Sequence, residues 1–200
     1  IGYPVQCTGL VSILGAKEAG FSKFAEKSLI NKVSSAKFVA GKQSFYVKGK
    51  EKKAYVLDRA KFDKLLAYGL GVEKEEFIAL TDKSIILKNK VEKRPSFVIG
   101  ADGPLSSIRK YITNEKPSFL HALQIRAKGK FNPDCVELHF LPYINFFGWV
   151  VPEDSKYARI GLADSLGENI DLKLNKFLKK LKIKSSSSVS SGLIPISKPF

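Results

Sequence analysis

The chain predicts a mixed α+β (α/β) fold in which a β-rich substrate domain is interleaved with a nucleotide-binding domain. Three observations lead there. The stretch FVIGADGPLSSIRKYI at 97–112 has the order strand, glycine-rich turn, helix. Short β-like runs divided by turns fill 36–57, and a second β-rich block fills 121–163. An amphipathic helical pattern follows each block, and no internal repeat is visible.

Taken in order, residues 1–12 (IGYPVQCTGLVS) form a closely packed loop, stiffened by Pro4 and freed in its backbone angles at Gly9. Residues 13–31 are weakly helical. Lys37–Ala40, Ser44–Val47 and Ala54–Leu57 then predict a small antiparallel meander, with turns at Gly41–Lys42 and Gly49–Lys50. Asp58 caps a helix running to about Leu70, with Phe62, Leu65, Leu66 and Leu70 as its buried stripe. Strands follow at 75–80 and 84–88, then the Phe97–Ile99 strand, a turn at Gly100–Gly103, and a helix opened by Pro104.

After Pro117 the chain turns β-rich again. His121–Ala127 and Cys135–Leu141 alternate at period two, with Val136, Leu138 and Phe140 on one face and His139 exposed on the other. Residues 146–152 and 157–163 make a hairpin around Glu153–Lys156. A helix over 170–182 turns Leu174, Phe177, Leu178 and Leu181 inward. The serine run Ser185–Ser191 predicts a flexible loop, and Gly192–Ile196 a last strand.

Composition narrows the function classes. Two cysteines far apart and two histidines make neither a disulfide framework nor a zinc pattern, so no metal is expected. No apolar run approaches the roughly 20 residues of a membrane span. The net charge of +15 comes mostly from dispersed lysine, unaccompanied by a nucleic-acid motif or interleaved aromatics. An anionic membrane surface therefore ranks above nucleic acid as a partner. The expected location is the cytoplasm, peripheral at such a surface. The chain has no methionine and starts at Ile1, as a piece of a longer protein would.

Two local features carry chemistry. Asp102 sits between Gly100 and Gly103, which let a ligand approach the backbone. A carboxylate there accepts hydrogen bonds from ribose or ribityl hydroxyls, while the helix N-terminus favours the neighbouring phosphates. The plainer alternative is a corner that Asp102 merely caps. Arg59 stands in the first turn of a helix, where the macrodipole disfavours a cation, so it points to a nearby anion. Its plainer alternative is an exposed pair with Asp63.

The combination PVQCTGLVS, VLDRAKFDKLLA, VIGADGPLSSIRK and FGWVVP…ARIGLA resembles the geranylgeranyl reductase family, most of all its archaeal lipid-saturating branch. The resemblance implies a p-hydroxybenzoate-hydroxylase-like FAD fold. It assigns 1–35, 55–115 and 190–200 to the FAD-binding domain, and 36–54 and 116–189 to the substrate-binding antiparallel sheet. It also implies that this is the middle of the enzyme: a GxGxxG turn is expected before Ile1 and a GDAAG-like motif after Phe200. Carried over by position, Cys7, Thr8 and Gly9 match the loop beside the isoalloxazine and ribityl chain. Arg59 matches an FAD-contacting arginine, and Asp102 and Gly103 the aspartate–glycine pair near the cofactor. Phe147, Trp149 and Gly161 match the substrate-sheet pattern; Val151 stands where the family has Phe, and Ala163 where it has Gly. Cys7 is the catalytic candidate, tuning or protonating at the flavin, with a packing role as its alternative. The implied activity is FAD-dependent reduction of isoprenoid double bonds, fed by an external electron donor. An aromatic hydroxylase of the same fold and a non-enzymatic basic binding module are the alternatives.

Overall fold

The computed structural model describes residues 1–89 and 92–196. The first elements are β1 (Leu10–Ser12), α1 (Ile13–Glu18), α2 (Ser22–Lys27), β2 (Leu29–Val33), β3 (Ser35–Ala40), β4 (Gln43–Lys48), β5 (Ala54–Leu57) and α3 (Arg59–Ala67). Then come β6 (Phe77–Leu80), β7 (Ile85–Leu87), β8 (Glu92–Lys93) and a 3-10 turn at Arg109–Tyr111. The rest is β9 (Phe119–Lys128), β10 (Cys135–Phe140), β11 (Gly148–Pro152), β12 (Tyr157–Ser165), α4 (Ile170–Lys180) and β13 (Ser185–Pro195). Two compact units emerge: Ile1–Tyr68 with Leu120–Leu193, and Gly69–Phe119 with Ile194–Phe200. These boundaries are set by compactness and differ from the functional partition expected above; residues 197–200 of that partition lie outside the described residues.

The first unit is built on a seven-stranded sheet in the order β13-β9-β12-β11-β10-β3-β4. Strands β10 and β3 pair in parallel, Cys135 opposite Ser35 through Phe140 opposite Ala40, whereas β10-β11, β11-β12 and β12-β9 are antiparallel. Alternation gives the sheet two faces. One carries Leu123, Ile125, Ala127, Val150, Ala158, Ile160 and Leu162, and α4 covers it with Ile170, Leu174 and Phe177. Those three recur at i, i+4 and i+7, the spacing of one helix face. The helix is capped by Asn169, whose side chain accepts from Leu172 N at 3.0 Å, with Asp171 in its first turn and Lys179 and Lys180 in its last. Both charge placements suit the macrodipole. Phe177 is wholly buried, so truncating it to alanine costs about 3–5 kcal/mol.

A second sheet, β1-β5-β2, carries α1, α2 and α3 on a core of Ala16, Ala25, Tyr55, Leu57 and Phe62. Val33 and Val56 of this sheet pack against Val136 and Val151 of the large one. In the second unit, β6-β7-β8 form a small antiparallel sheet against which Tyr111 leans, its ring edge-on to Phe77 and its hydroxyl accepting from Leu80 N at 3.1 Å.

Several expectations are corrected. Phe97–Ile99 is not a buried strand: Phe97 and Ile99 are 89% and 88% exposed, and no described strand pairs with them. An apolar triplet becomes a buried strand only where a neighbour supplies the ladder and a layer covers it. The helix expected from Pro104 shrinks to a 3-10 turn, because Asp102 takes the N–H groups of Ser107 and Ile108 and closes 102–108 into a local knot. The meander keeps only β3 and β4, since β5 leaves to pair with β1 and β2. In α3, Leu66 is exposed and Leu70 lies beyond the helix end; Ala60 and Phe62 do the burying. His139 is buried: α4 covers its face of β10, its ring meets Phe177 edge-on at 5.0 Å, and its Nε2 pairs with Glu137 Oε2 at 2.8 Å. The serine run is strand β13, because an extended backbone beside β9 satisfies its polar groups whatever the side chains.

Candidate functional site

Of the predicted site residues, Trp149 and Gly161 lie on the sheet face away from α4. Register sets Trp149 opposite Gly161 and Gly161 opposite Gln124; one step along, Val151, Arg159 and Arg126 form the next row. The Trp149 ring lies over Gly161, where a Cβ would sit 2.6 Å from Cζ2 and 2.5 Å from Leu123 O. Only glycine admits the indole at this distance. The indole Nε1 donates to Gln124 Oε1 at 3.0 Å. Because an indole N–H can only donate, this bond fixes which amide atom faces it and leaves the Gln124 NH₂ group as a donor on the other side. Phe147 packs edge-on to Trp149 at 6.3 Å and stacks on Phe146 at 4.1 Å, and Phe140 and the stacked Phe38–Phe45 pair extend the aromatic surface towards β4.

Beside this surface opens a cleft of ≈ 660 Å³, walled by Gln6, Cys7, Arg59, Gln124, Arg126 and Arg159 among others. The loop that brings Cys7 here is pinned through its backbone. Leu57 N donates to Gly9 O at 2.9 Å, and Arg159 Nη1 donates to Thr8 O at 2.6 Å and Leu57 O at 3.0 Å. Gly9 has φ +74°, which suits glycine and strains other residues. Thr8 and Gly9 thus hold the loop in place while Cys7, half-buried with its Sγ accepting from Gly9 N at 3.3 Å, reaches the wall.

Arg59 stands at the start of α3, after Asp58, whose side chain caps the helix by accepting from Lys61 N at 3.0 Å. Its Nε and Nη2 meet Asp63 Oδ1 at 3.1 and 3.0 Å, so the i,i+4 pair exists, and the same guanidinium lines the cleft. Burial works against its charge, yet the nearby Cys7 and Asp63 outweigh this and raise its pKa. Glu153, 9% exposed, accepts from Arg159 Nε at 2.9 Å and Arg126 Nε at 2.6 Å. Two arginines thus share one buried carboxylate.

Cys7, Thr8, Gly9 and Arg59 therefore come together in the first unit, with Gly161 and Trp149 joined to their cleft through Gln124 and with Phe147 against Trp149. Asp102 and Gly103 belong to the second unit. There Asp102 accepts from Ser106 Oγ at 2.5 Å, Ser107 N at 2.6 Å and Ile108 N at 3.2 Å; the Ser106 bond leads in holding its pKa below the ordinary value. These bonds close the 102–108 turn, in which Gly103 takes φ +85°, and the 3-10 turn that follows has no side-chain cap bond at its N-terminus. Sequence reading missed Gln124, Arg126, Glu153 and Arg159. For Gln124, Arg126 and Arg159 the one signal was polar residues at alternate positions of otherwise apolar strands; Glu153 lies in the turn after β11. Among the described residues no group of His, Cys, Asp and Glu is placed to hold a metal, and no helix is long and apolar enough to cross a membrane.

No family model matches the chain. An uncharacterized protein of Methanocaldococcus jannaschii is 29% identical over 226 residues, covering 98% of this chain and 55% of its own length. Among solved structures, a geranylgeranyl bacteriochlorophyll reductase-like protein of Thermoplasma acidophilum superposes with a TM-score of 0.82 at 24% identity, covering 99% of this chain and 58% of that one. PqsL, a probable FAD-dependent monooxygenase of Pseudomonas aeruginosa, gives 0.66 at 14% identity, covering 96% of this chain and 64% of that one. HpxO of Klebsiella pneumoniae, solved with FAD and uric acid, gives 0.66 at 8%, covering 96% and 60% respectively. The chain spans little more than half the length of the curated relative. Its fold is that of the FAD-dependent monooxygenase and reductase group.

Proposed function

We propose that this chain belongs to an FAD-dependent oxidoreductase that reduces geranylgeranyl double bonds of an isoprenoid lipid. The observation that carries the reading is a backbone-pinned loop, Cys7–Thr8–Gly9, set beside Arg59 and next to a sheet face lined by Phe147, Trp149 and Gly161. The Thermoplasma acidophilum neighbour, described as geranylgeranyl bacteriochlorophyll reductase-like, supports the substrate class.

The residues present fit FAD. Gly9 keeps side-chain bulk out of the loop, Arg59 puts a cation on the cleft wall, and Gln124 offers an amide donor whose direction Trp149 has set. When bound and reduced, FAD supplies the hydride equivalent for an alkene. Arg59 would hold the cofactor's acceptor groups, and Gln124 would donate to an oxygen on the ligand. Phe147 and Trp149 hold the apolar chain and exclude water, with Gly161 leaving room for the indole. Cys7 Sγ is the proton-holding candidate at the cleft. The electrons would come from an external donor. Contact with an anionic membrane would use the lysine-rich β3–β4 edge, where Phe45, Tyr46 and Val47 are exposed between Lys37, Lys42 and Lys48.

A second reading, an aromatic hydroxylase, is favoured by the amide and arginine donors in the cleft, which suit a small polar substrate. One experiment separates the two. Full-length protein with chemically reduced flavin, kept anaerobic, is given a geranylgeranyl lipid. Reoxidation with saturated product supports the reductase; indifference to the lipid, with aerobic insertion of oxygen into a phenol, replaces it by the hydroxylase.

A further inference from the structure

We propose that Arg159 is a positioning residue, setting the two backbone segments that carry Cys7 and Arg59 to the cleft. For what it says of the cofactor, this rests on the flavin reading above.

The argument starts from where the guanidinium is spent. Arg159 is the third residue of β12, its side chain 13% exposed. Nη1 donates to the carbonyls of Thr8 and Leu57, at 2.6 and 3.0 Å. Thr8 follows Cys7 directly, and Leu57 precedes Asp58, the cap of the helix that begins at Arg59. One side chain of the large sheet therefore sets the height of both cleft-lining segments. Gly9 is matched to it: a Cβ there would lie 2.6 Å from Arg159 Nη1 and 2.4 Å from Leu57 O. The guanidinium occupies space that any other residue at position 9 would need.

Its charge is held by Glu153, whose second oxygen is taken by Arg126. A buried ion pair adds little net stability compared with apolar packing, whereas removing one partner leaves the other charge unpaired and is destabilising. Lysine cannot substitute. A guanidinium presents several donors in a rigid plane, whereas a single ammonium at the end of a flexible stem does not span two carbonyls and a carboxylate in this arrangement.

The test uses the full-length protein, with iodoacetamide as the thiol probe and FAD as the ligand. Cys7 and Cys135 are followed separately by peptide mass spectrometry. Cys135, buried in β10, reports global opening. In Arg159→Lys, Cys7 alkylation should rise roughly tenfold or more, the scale of a lost charge-assisted hydrogen bond, with Cys135 unchanged. FAD affinity should fall by a similar factor, and the visible band of the remaining bound flavin should shift. Glu153→Gln, which keeps the side-chain volume and both carbonyl bonds, should give intermediate Cys7 rates and serves if Arg159→Lys does not fold. Cys7 rates unchanged in a folded variant overturn the proposal, as does an equal rise at Cys135, which makes the role purely structural. Faster Cys7 with unaltered FAD affinity and spectrum leaves the positioning role standing and removes the cofactor from this loop.

Discussion

Replacing Gly161 by alanine tests the centre of the candidate site. The new methyl would meet Leu123 O at 2.5 Å and the Trp149 ring at 2.6 and 2.7 Å. The carbonyl belongs to a paired strand and cannot step aside without moving β9; the indole can tilt, but then loses its bond to Gln124. Overpacking of this kind costs about 1–3 kcal/mol. The lost hydrogen bond adds about 0.5–1.5 kcal/mol. The stiffer unfolded chain returns about 0.4–1 kcal/mol, leaving a net loss of about 0.5–4 kcal/mol. Thermal unfolding of the full-length protein, followed by far-UV circular dichroism, should show a Tm lower by a few degrees. In a Trp149→Val background the loss should shrink, since the ring is gone, without vanishing, since Leu123 O remains. A coupling above about 0.5 kcal/mol is expected for residues in contact. A Gly161→Ala protein as stable as wild type, or a pair with no coupling, would refute the placement of the indole over Gly161.

Other outcomes follow from the same geometry. Trp149→Ala should lower turnover on the lipid while leaving flavin content nearly unchanged, as measured by product formation and flavin absorbance. Arg59→Ala should weaken FAD binding by about 1–3 kcal/mol in a flavin titration. It should change the stability of flavin-free protein by only about 0.5 kcal/mol, because the Asp63 pair is one-third exposed. Burial works against the Asp164 carboxylate, but Lys173 and the N–H groups of Asn145 and Ser165 outweigh it and hold its pKa below the ordinary value. A depressed carboxylate contributes stability above its unfolded pKa of about 3.9 and loses it as pH falls through the folded value. Acid titration of unfolding should therefore show a steeper loss below about pH 4 in wild type than in Asp164→Asn.

What could be read directly from the residues was local. The 146–163 hairpin, α3 with its Asp58 cap and α4 with its apolar stripe were legible because each is written in a few neighbouring side chains. Period two, period 3.6 and an Asx cap need no distant partner to be recognised. The site was half legible in the same sense: Gly9 stood out by chain flexibility and Arg59 by an ill-placed charge, and Cys7, Trp149 and Gly161 by their resemblance to a family pattern.

Tertiary structure decided the rest, wherever a residue's fate depends on something far along the chain. His139 alternates like a surface residue and is buried because α4, some forty residues later, covers its face. Phe97–Ile99 is as apolar as any core strand and stays exposed because no described strand lies beside it. The parallel pairing of β10 with β3, and with it the continuous aromatic face, joins segments a hundred residues apart. Arg159 looked like one polar residue in an apolar strand; only the fold brings it to the carbonyls of Thr8 and Leu57. Backbone propensity and periodicity act over a few residues, whereas hydrogen-bond satisfaction and burial are settled by whatever packs alongside, and that is a property of the whole chain.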